Sequence, residues 1–206
     1  MLLRALLVPL SELIVAAPED TLEDALDKIN SENFLSIPVV DDKRFVGVIS
    51  KERIFSTYFE LGGDREEFLK NNRVADLVRT DIPILSVYDD IEKAAHTLET
   101  YGIPFVAVMD ENGEFAGIIT HHAIFKTFVE IFGMNKGHKI SVIAYDIPGQ
   151  IEKLTDIITK MGGNIISFVV LDPKVKTDVK EIVIRIDTDR FVETVDAIRD
   201  AGFRVQ

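Results

Sequence analysis

Residues 36–50 read Ser36-Ile37-Pro38-Val39-Val40-Asp41-Asp42-Lys43-Arg44-Phe45-Val46-Gly47-Val48-Ile49-Ser50. Two apolar runs flank a polar turn, which predicts a β-hairpin. The second run passes through a glycine and ends in a hydroxyl residue that can N-cap a following helix. Residues 105–120 repeat this pattern, with one extra residue in the turn, as Phe105-Val106-Ala107-Val108-Met109-Asp110-Glu111-Asn112-Gly113-Glu114-Phe115-Ala116-Gly117-Ile118-Ile119-Thr120. Gly47 and Gly117 lie 70 positions apart, so the chain contains an internal duplication.

Each hairpin follows a short apolar segment, predicted as a strand at 14–17 and at 82–87, and an amphipathic helix. Apolar residues at helical spacing predict a buried stripe on each of these helices, namely Leu22, Ala25, Leu26 and Ile29 in the first copy and Ile91, Ala94, Ala95 and Leu98 in the second. Thr21 with Asp24 predicts a capping box for the first helix. The helices after Ser50 and Thr120 are predicted to bury Ile54, Phe55, Tyr58 and Phe59, and Ile124, Phe125, Phe128 and Ile131. Each copy is therefore β-α-β-β-α, and two such units usually pack together.

The pattern changes after Gly133. A strand is predicted at 140–145, then a helix, a hairpin of 165–171 with 181–186 around a charged loop at 172–179, a helix capped by Asp189 and a final strand at 203–205. This βαββαβ order is ferredoxin-like, so the fold class is α+β. The predicted divisions are a first repeat at 1–62, a connector at 63–73, a second repeat at 74–133, a linker at 134–138 and a third domain at 139–206.

Composition excludes several classes of protein. The 206 residues carry a net charge of −12, which argues against a nucleic-acid binder because such proteins need a basic face. The chain has no cysteine, so it has neither disulfides nor thiolate metal sites, and this fits a cytoplasmic protein. The apolar run at 1–9 is too short to span a membrane. We expect it to form a short helix on the first repeat.

The duplicated unit resembles a pair of CBS domains over about residues 6–132. The resemblance rests on Ile37-Pro38-Val39-Val40-Asp41, Gly47-Val48-Ile49-Ser50 and Gly117-Ile118-Ile119-Thr120. The last domain resembles an ACT domain, through Asp146-x-Pro148-Gly149, Leu154 and Gly162-Gly163-Asn164-Ile165. The order CBS-CBS-ACT is similar to acetoin-utilisation regulators of the AcuB kind and to cyclic di-AMP-binding CBS-ACT proteins.

Each strand-to-helix junction offers an anion site, because Ser50 or Thr120 and the next backbone N–H groups face one cleft. Ile14, Val15, Ala16, Leu35 and Ile37 are predicted to wall the first cleft, and Ile82, Ile84, Ile103 and Phe105 the second. The resemblance implies adenosine compounds there, and the candidate nucleotide-binding residues are Ala16, Leu35, Ser36, Ile37, Pro38, Ser50, Arg53, Ile82, Pro83, Ile103, Pro104, Phe105, Thr120, His121 and His122. The simpler alternative is that Ser50 and Thr120 only cap helices.

The sequence departs from the CBS family at one informative position. The family's adenosine-binding pattern ends in an Asp that grips the ribose hydroxyls, and Arg53 and Ala123 stand there instead. A cyclic dinucleotide has its 3′-oxygens in phosphodiesters and needs phosphate donors, which Arg53, His121 and His122 can supply. Cyclic di-AMP is therefore favoured over AMP, ATP and S-adenosylmethionine. Solvated surface roles for Arg53 and the two histidines remain open, and adjacent histidines lack the spacing of a metal site.

The turn Asp146-Ile147-Pro148-Gly149 lies at a predicted helix start, where N–H groups can receive a carboxylate. The ACT resemblance implies an amino acid held there at a dimer interface, and the alternative is dimerisation alone. These features predict a non-catalytic, homodimeric regulatory protein that needs no cofactor. It binds an adenine nucleotide, contacts an effector protein of unknown identity, and binds neither nucleic acid nor a membrane. The competing classes are an enzyme with a scattered active site and a ligand-free oligomerisation scaffold.

Overall fold

A computed structural model of the protein describes residues 1–172 and 178–206, which form two compact units, Met1–Phe125 and Lys126–Gln206. The helices are α1 Leu22–Ser31, α2 Lys51–Leu61, α3 Arg65–Asn71, α4 Val74–Leu77, α5 Ile91–Tyr101, α6 His121–Ile131, α7 Gln150–Lys160 and α8 Phe191–Asp200. The strands are β1 Val8–Pro9, β2 Ser36–Asp41, β3 Arg44–Ser50, β4 Ile84–Ser86, β5 Phe105–Met109, β6 Phe115–Thr120, β7 His138–Tyr145, β8 Asn164–Leu171, β9 Val179–Asp187 and β10 Arg204–Val205. Short 3₁₀ helices cover Leu3–Ala5 and Leu10–Glu12.

The duplicated hairpins form as predicted, and each is flanked by two further segments. In the second repeat the sheet order is β1-β6-β5-β4, with β4 parallel to β5. In the first repeat Arg79 bridges Val48 on the β3 side, and Ala16 makes a parallel bridge to Val39 on the β2 side. The two repeats therefore share one arrangement. The segment that leads into each repeat first crosses to the other repeat's hairpin and then returns to its own.

The structure corrects three predictions about the leading segments. The strand predicted at 14–17 is reduced to the single bridge at Ala16, and the strand predicted at 82–87 shortens to β4. The N-terminal run forms only a one-turn 3₁₀ helix, Leu3–Ala5, and this turn packs on the second repeat rather than on the first. Val8 pairs instead with Ile118 in the second repeat, and the Leu3 amide donates to the Asp89 carbonyl at 2.9 Å. Strand pairing with the second hairpin satisfies backbone groups that a short helix would leave open.

The amphipathic helices that precede the hairpins bury the predicted stripes, except that Ala95 is only partly buried. The capping box of α1 is present, with Thr21 and Asp24 bonding each other's backbone amides. The helices that follow the hairpins differ from the prediction. Ile54 and Ile124 are buried, whereas Phe59 is 81% exposed and Phe125 is 64% exposed. These helices therefore contact their sheets mainly near the N-terminus and leave apolar side chains on the outer face.

The second unit contains a four-stranded antiparallel sheet with the order β10-β7-β9-β8. This is the order expected for a ferredoxin-like βαββαβ unit. Leu154 and Ile158 of α7 and Ile198 of α8 are fully buried in its core. Asp189 is not the cap of α8, because Arg190 occupies the N-cap position and makes no side-chain capping bond.

The division of the chain into two compact units falls between Phe125 and Lys126, within α6, and the predicted domain boundary at 133 stays a prediction. The predicted charged loop at 172–179 lies mostly outside the described residues. Within the described part of the chain, every helix is too short or too polar to cross a membrane.

Candidate functional site

A cleft of about 870 Å³ lies beside Ser50 in the first unit, and we call it the Ser50 cleft. It is lined by Leu35, Ser36, Val48, Ser50, Lys51, Glu52, Arg53, Ser56, Arg79, Ile82, Gly102, Ile103, Pro104 and His121. Its volume lies within the usual range for small-molecule sites, about 300–1,000 Å³. Apolar walls with a few convergent polar groups make it suitable for a flat, charged ligand.

Ser50 reaches this cleft because it ends β3 in an extended conformation and N-caps α2. Its side-chain oxygen accepts a hydrogen bond from the Arg53 amide at 3.1 Å, so the hydroxyl proton can be donated to a ligand. The Lys51 amide donates to the Leu35 carbonyl at 2.9 Å, which fixes the start of α2 against the residue that precedes β2. The N-terminus of α2 therefore faces the cleft with the partial positive charge of the helix dipole.

Cations collect in the Ser50 cleft although the whole chain is acidic. Lys51, Arg53 and Arg79 line it, against the single carboxylate of Glu52. Arg79 arrives on the crossing segment, where its amide and carbonyl exchange hydrogen bonds of 2.9 Å with Val48. Sequence reasoning missed both Arg79 and Lys51. Only the crossing of the leading segment brings residue 79 to β3, whereas Lys51 directly follows Ser50 and was recognisable from its position at the helix start.

The side chain of Arg79 is held by a neighbouring carboxylate. Its Nε donates to Asp81 Oδ1 at 2.8 Å, and a terminal nitrogen donates to Asp81 Oδ2 at 3.4 Å. This hydrogen-bonded guanidinium lowers the pKa of Asp81 below its ordinary value, and the charge of Arg53 acts in the same direction. Asp81 itself is not among the residues that line the cleft.

A second cleft of about 650 Å³ lies beside Thr120, and we call it the Thr120 cleft. It is lined by Val8, Glu12, Leu13, Ile14, Glu32, Asn33, Phe34, Leu35, Ser36, Ile37, Pro38, Pro104, Phe105, Ile118 and Thr120. Thr120 accepts a hydrogen bond from the Ala123 amide at 3.2 Å, as Ser50 does from Arg53. The two clefts differ in charge, because the ionisable lining residues of the Thr120 cleft are Glu12 and Glu32.

The structure exchanges the walls that the sequence had assigned to the clefts. Ile82 and Ile103 line the Ser50 cleft rather than the Thr120 cleft, and Ile14 and Ile37 line the Thr120 cleft rather than the Ser50 cleft. The crossing of the leading segments accounts for Ile14 and Ile82, because each lies on a segment that has just paired with the other repeat's hairpin. Phe105 lies in the Thr120 cleft as predicted.

Most of the candidate nucleotide-binding residues line one or both clefts, and a few line neither. Leu35, Ser36 and Pro104 line both clefts, and Pro38 lines the Thr120 cleft. Five residues line neither, namely the candidates Ala16, Pro83 and His122 and the predicted wall residues Val15 and Ile84. Ala16 is fully buried, since its backbone pairs with β2. His121 lines the Ser50 cleft, with Nδ1 3.3 Å from the Pro104 carbonyl oxygen, whereas its neighbour His122 points elsewhere because successive helical residues diverge.

The predicted turn in the second unit precedes α7 as expected. Gly149 adopts a left-handed conformation, with φ of 86°, and supplies no side chain to cap the helix. Asp146 forms an ion pair with Lys180 at 3.3 Å, and Lys180 also pairs with Asp172. The hydrogen bond to Asp172, and to a smaller extent the one to Asp146, raises the pKa of Lys180 above its ordinary value. Ile147 is 57% exposed, so the turn presents an apolar side chain to solvent.

Comparisons with known proteins identify relatives of the duplicated part. The profile of the CBS domain family matches residues 5–60 and 74–130. Cyclic di-AMP receptor B of Bacillus subtilis is 32% identical over 108 residues, which cover 52% of this chain and 72% of that protein. An uncharacterised protein of Methanocaldococcus jannaschii, MJ1225, is 28% identical over 125 residues, which cover 57% of this chain and 44% of that protein.

A solved structure shares the fold of the duplicated part. It is a CBS domain-containing protein of unknown function from Bacillus anthracis, with a TM-score of 0.56 and 28% identity. The similarity covers 62% of this chain and 92% of that chain. The first curated relatives are longer, and this chain spans less than half of their length.

Proposed function

This chain belongs to the CBS domain family, and from that premise we propose that its Ser50 cleft binds cyclic di-AMP and thereby regulates a partner protein. The observation that carries the proposal is the group of Lys51, Arg53 and Arg79 at the N-terminus of α2 in an otherwise acidic protein. Two phosphodiesters need such donors, and arginine binds phosphate with paired hydrogen bonds. Apolar Ile82 and Ile103 can sandwich an adenine ring.

Arg53 favours a cyclic dinucleotide over AMP or ATP. It lines the cleft at the position where family members that clamp a ribose carry an aspartate. A guanidinium there suits a phosphodiester and cannot accept hydrogen bonds from ribose hydroxyls. The kinship with a cyclic di-AMP receptor, at 32% identity, points to the same ligand class.

A second candidate ligand class suits the Thr120 cleft. Glu12 and Glu32 line it, and carboxylates repel phosphates while attracting cations. An adenosine compound that is uncharged or positively charged, such as S-adenosylmethionine, is therefore the better match for this cleft. The alternative function is that of a regulator of the AcuB kind that binds AMP, ATP or S-adenosylmethionine, and the last of these suits the charge of this cleft best.

The two clefts can be tested against each other by calorimetry with cyclic di-AMP, AMP, ATP and S-adenosylmethionine. Ser50→Ala and Thr120→Ala form a matched pair, since each removes one hydroxyl cap from one helix start. We expect Ser50→Ala and Arg53→Ala to weaken cyclic di-AMP binding about tenfold, the value of one charge-assisted hydrogen bond. Thr120→Ala should leave it unchanged. Tighter binding of AMP or ATP than of cyclic di-AMP would overturn the proposal.

The second unit is proposed to act as an ACT domain, for dimerisation or for sensing an amino acid at the Asp146–Gly149 turn. Its ferredoxin-like strand order and the left-handed Gly149 before α7 support this assignment. A thermal-shift screen of amino acids tests the sensing role, because a ligand that binds only the folded state raises the melting temperature in a saturable manner. Sedimentation analysis tests the dimer.

A further inference from the structure

We propose that Asp81 is a built-in competitor for the anion site of the Ser50 cleft. In the ligand-free protein its carboxylate occupies the donors on the Nε side of the Arg79 guanidinium, and a phosphate that binds these donors must displace it. The inference rests on the proposed function, since it concerns how the same cleft receives its anion. It assigns Asp81, which does not line the cleft, a role in setting nucleotide affinity.

The backbone of Arg79 is held in place, so only the hydrogen-bond partner of its side chain can change when a ligand binds. Its backbone is fixed by two hydrogen bonds to Val48, and its carbonyl packs directly against Gly47. The side chain is 45% exposed and already makes two hydrogen bonds, both to Asp81. Asp81 is 75% exposed, so its carboxylate can turn into water when a phosphate takes its place.

A phosphate and a carboxylate can bind the same N–H groups of the Arg79 guanidinium. A guanidinium offers parallel N–H groups to either anion. A phosphate and a carboxylate cannot both bind the same two N–H groups at once. Exposed ion pairs of this kind are weak, so the competitor lowers affinity without blocking the site. Removing the carboxylate charge should therefore tighten nucleotide binding about fivefold.

The other repeat supplies an internal comparison. Val8 pairs with Ile118 as Arg79 pairs with Val48, and Val8 lines the Thr120 cleft as Arg79 lines the Ser50 cleft. The Thr120 cleft thus has an apolar residue where the Ser50 cleft has a cation with its own counter-ion. The Arg79–Asp81 pair is specific to one cleft rather than required by the fold.

The test is calorimetric titration of the full-length protein with cyclic di-AMP. Asp81→Asn keeps the shape of the side chain and removes its charge. Asp41→Asn is the matched control. Asp41 forms a similar exposed ion pair with Arg44 at 3.0 Å, but this pair lies at the turn of the first hairpin, at the far end of β3 from Ser50. We expect about fivefold tighter binding for Asp81→Asn and no change for Asp41→Asn. In an Arg79→Ala background, adding Asp81→Asn should give a much smaller gain.

The outcomes separate this inference from the proposed function. If the wild type binds and Asp81→Asn binds equally or more weakly, the competitor role is overturned while the nucleotide site stands. An equal gain with and without Arg79 also overturns it, because the effect would then be general electrostatics. If neither protein binds cyclic di-AMP, both proposals fail. Binding by Asp81→Asn alone would support both.

Discussion

The main-chain carbonyl of Arg79 packs so closely against Gly47 that a methyl group on residue 47 would overlap it. The carbonyl of Val8 stands in the same relation to Gly117. The glycine of each repeated Gly-x-x-Ser or Gly-x-x-Thr motif is therefore the contact point for the segment crossing from the other side. The same contact that holds the two repeats together also delivers Arg79 to the Ser50 cleft.

Gly47→Ala should lower the free energy of unfolding by about 3 kcal/mol, because the backbone of residue 79 cannot move without breaking its pairing with Val48. Urea denaturation followed by circular dichroism measures this change. Gly113→Ala is the control: its Cβ meets open space and only the turn conformation, with φ of 79°, opposes it. That cost is about 1 kcal/mol. Equal effects of the two substitutions would contradict the steric account.

Ile54 and Phe59 lie on the same helix and should respond very differently to truncation. Ile54 is fully buried and Phe59 is 81% exposed. We expect Ile54→Ala to cost about 3 kcal/mol of stability and Phe59→Ser to change it by less than about 0.5 kcal/mol. Denaturation at two protein concentrations checks this, since a dimer contact at Phe59 would make its effect concentration-dependent. A large, concentration-independent loss for Phe59→Ser would contradict the exposure of this side chain.

The contrast between Ile54 and Phe59 shows where sequence patterns succeed and fail. The duplicated hairpins and the helices before them were predictable, because strand alternation, capping residues and one apolar stripe are local signals. The helix stripe after Ser50 was misjudged, since spacing shows that apolar residues share a face but not whether anything covers that face.

The candidate site was likewise predictable only in part, namely for the residues that local motifs mark. Ser50, Arg53 and Thr120 were recognisable from the motif at a strand-to-helix junction. Arg79 was not, because its place in the Ser50 cleft follows from the crossing of the leading segment, and Val48 and residue 79 are far apart in the sequence. For the same reason Ile14 and Ile82, which lie on the leading segments, are assigned to the wrong clefts by the sequence.

The capping box of α1 predicts a specific pH dependence. A hydrogen bond from the Thr21 hydroxyl lowers the pKa of Asp24 below its ordinary value of 3.8, with a further contribution from the Thr21 amide. Because the folded-state pKa is depressed, the interaction stabilises the protein above pH 3.8 and is lost as the pH falls through the lower, folded-state pKa.

Thr21→Ala should raise the pKa of Asp24 towards its ordinary value and make the acid-induced loss of stability shallower. Carboxyl-carbon NMR titration measures the pKa directly. Ser31→Ala serves as the control, since it removes a hydroxyl from the last turn of the same helix, where Ser31 donates to the Lys28 carbonyl. An Asp24 pKa that does not move in Thr21→Ala would show that the capping box does not persist in solution.

Binding of cyclic di-AMP should weaken strongly with salt, because the Ser50 cleft attracts the ligand through Lys51, Arg53 and Arg79. The screening length falls as salt is added, from about 10 Å at 0.1 M to about 3 Å at 1 M. We expect affinity to drop about tenfold between 0.05 and 0.5 M sodium chloride. Calorimetry across this range measures the slope.

Arg53→Ala should flatten the slope as well as weaken binding, since it removes one of the cations that salt screens. Ile103→Val is the matched control, because it trims an apolar wall of the same cleft and leaves its charge unchanged. It should weaken binding by a similar factor at every salt concentration. If the wild type and Arg53→Ala lost affinity in parallel as salt increased, Arg53 would not contribute to the attraction that salt screens. Arg53 would then be a solvated surface residue.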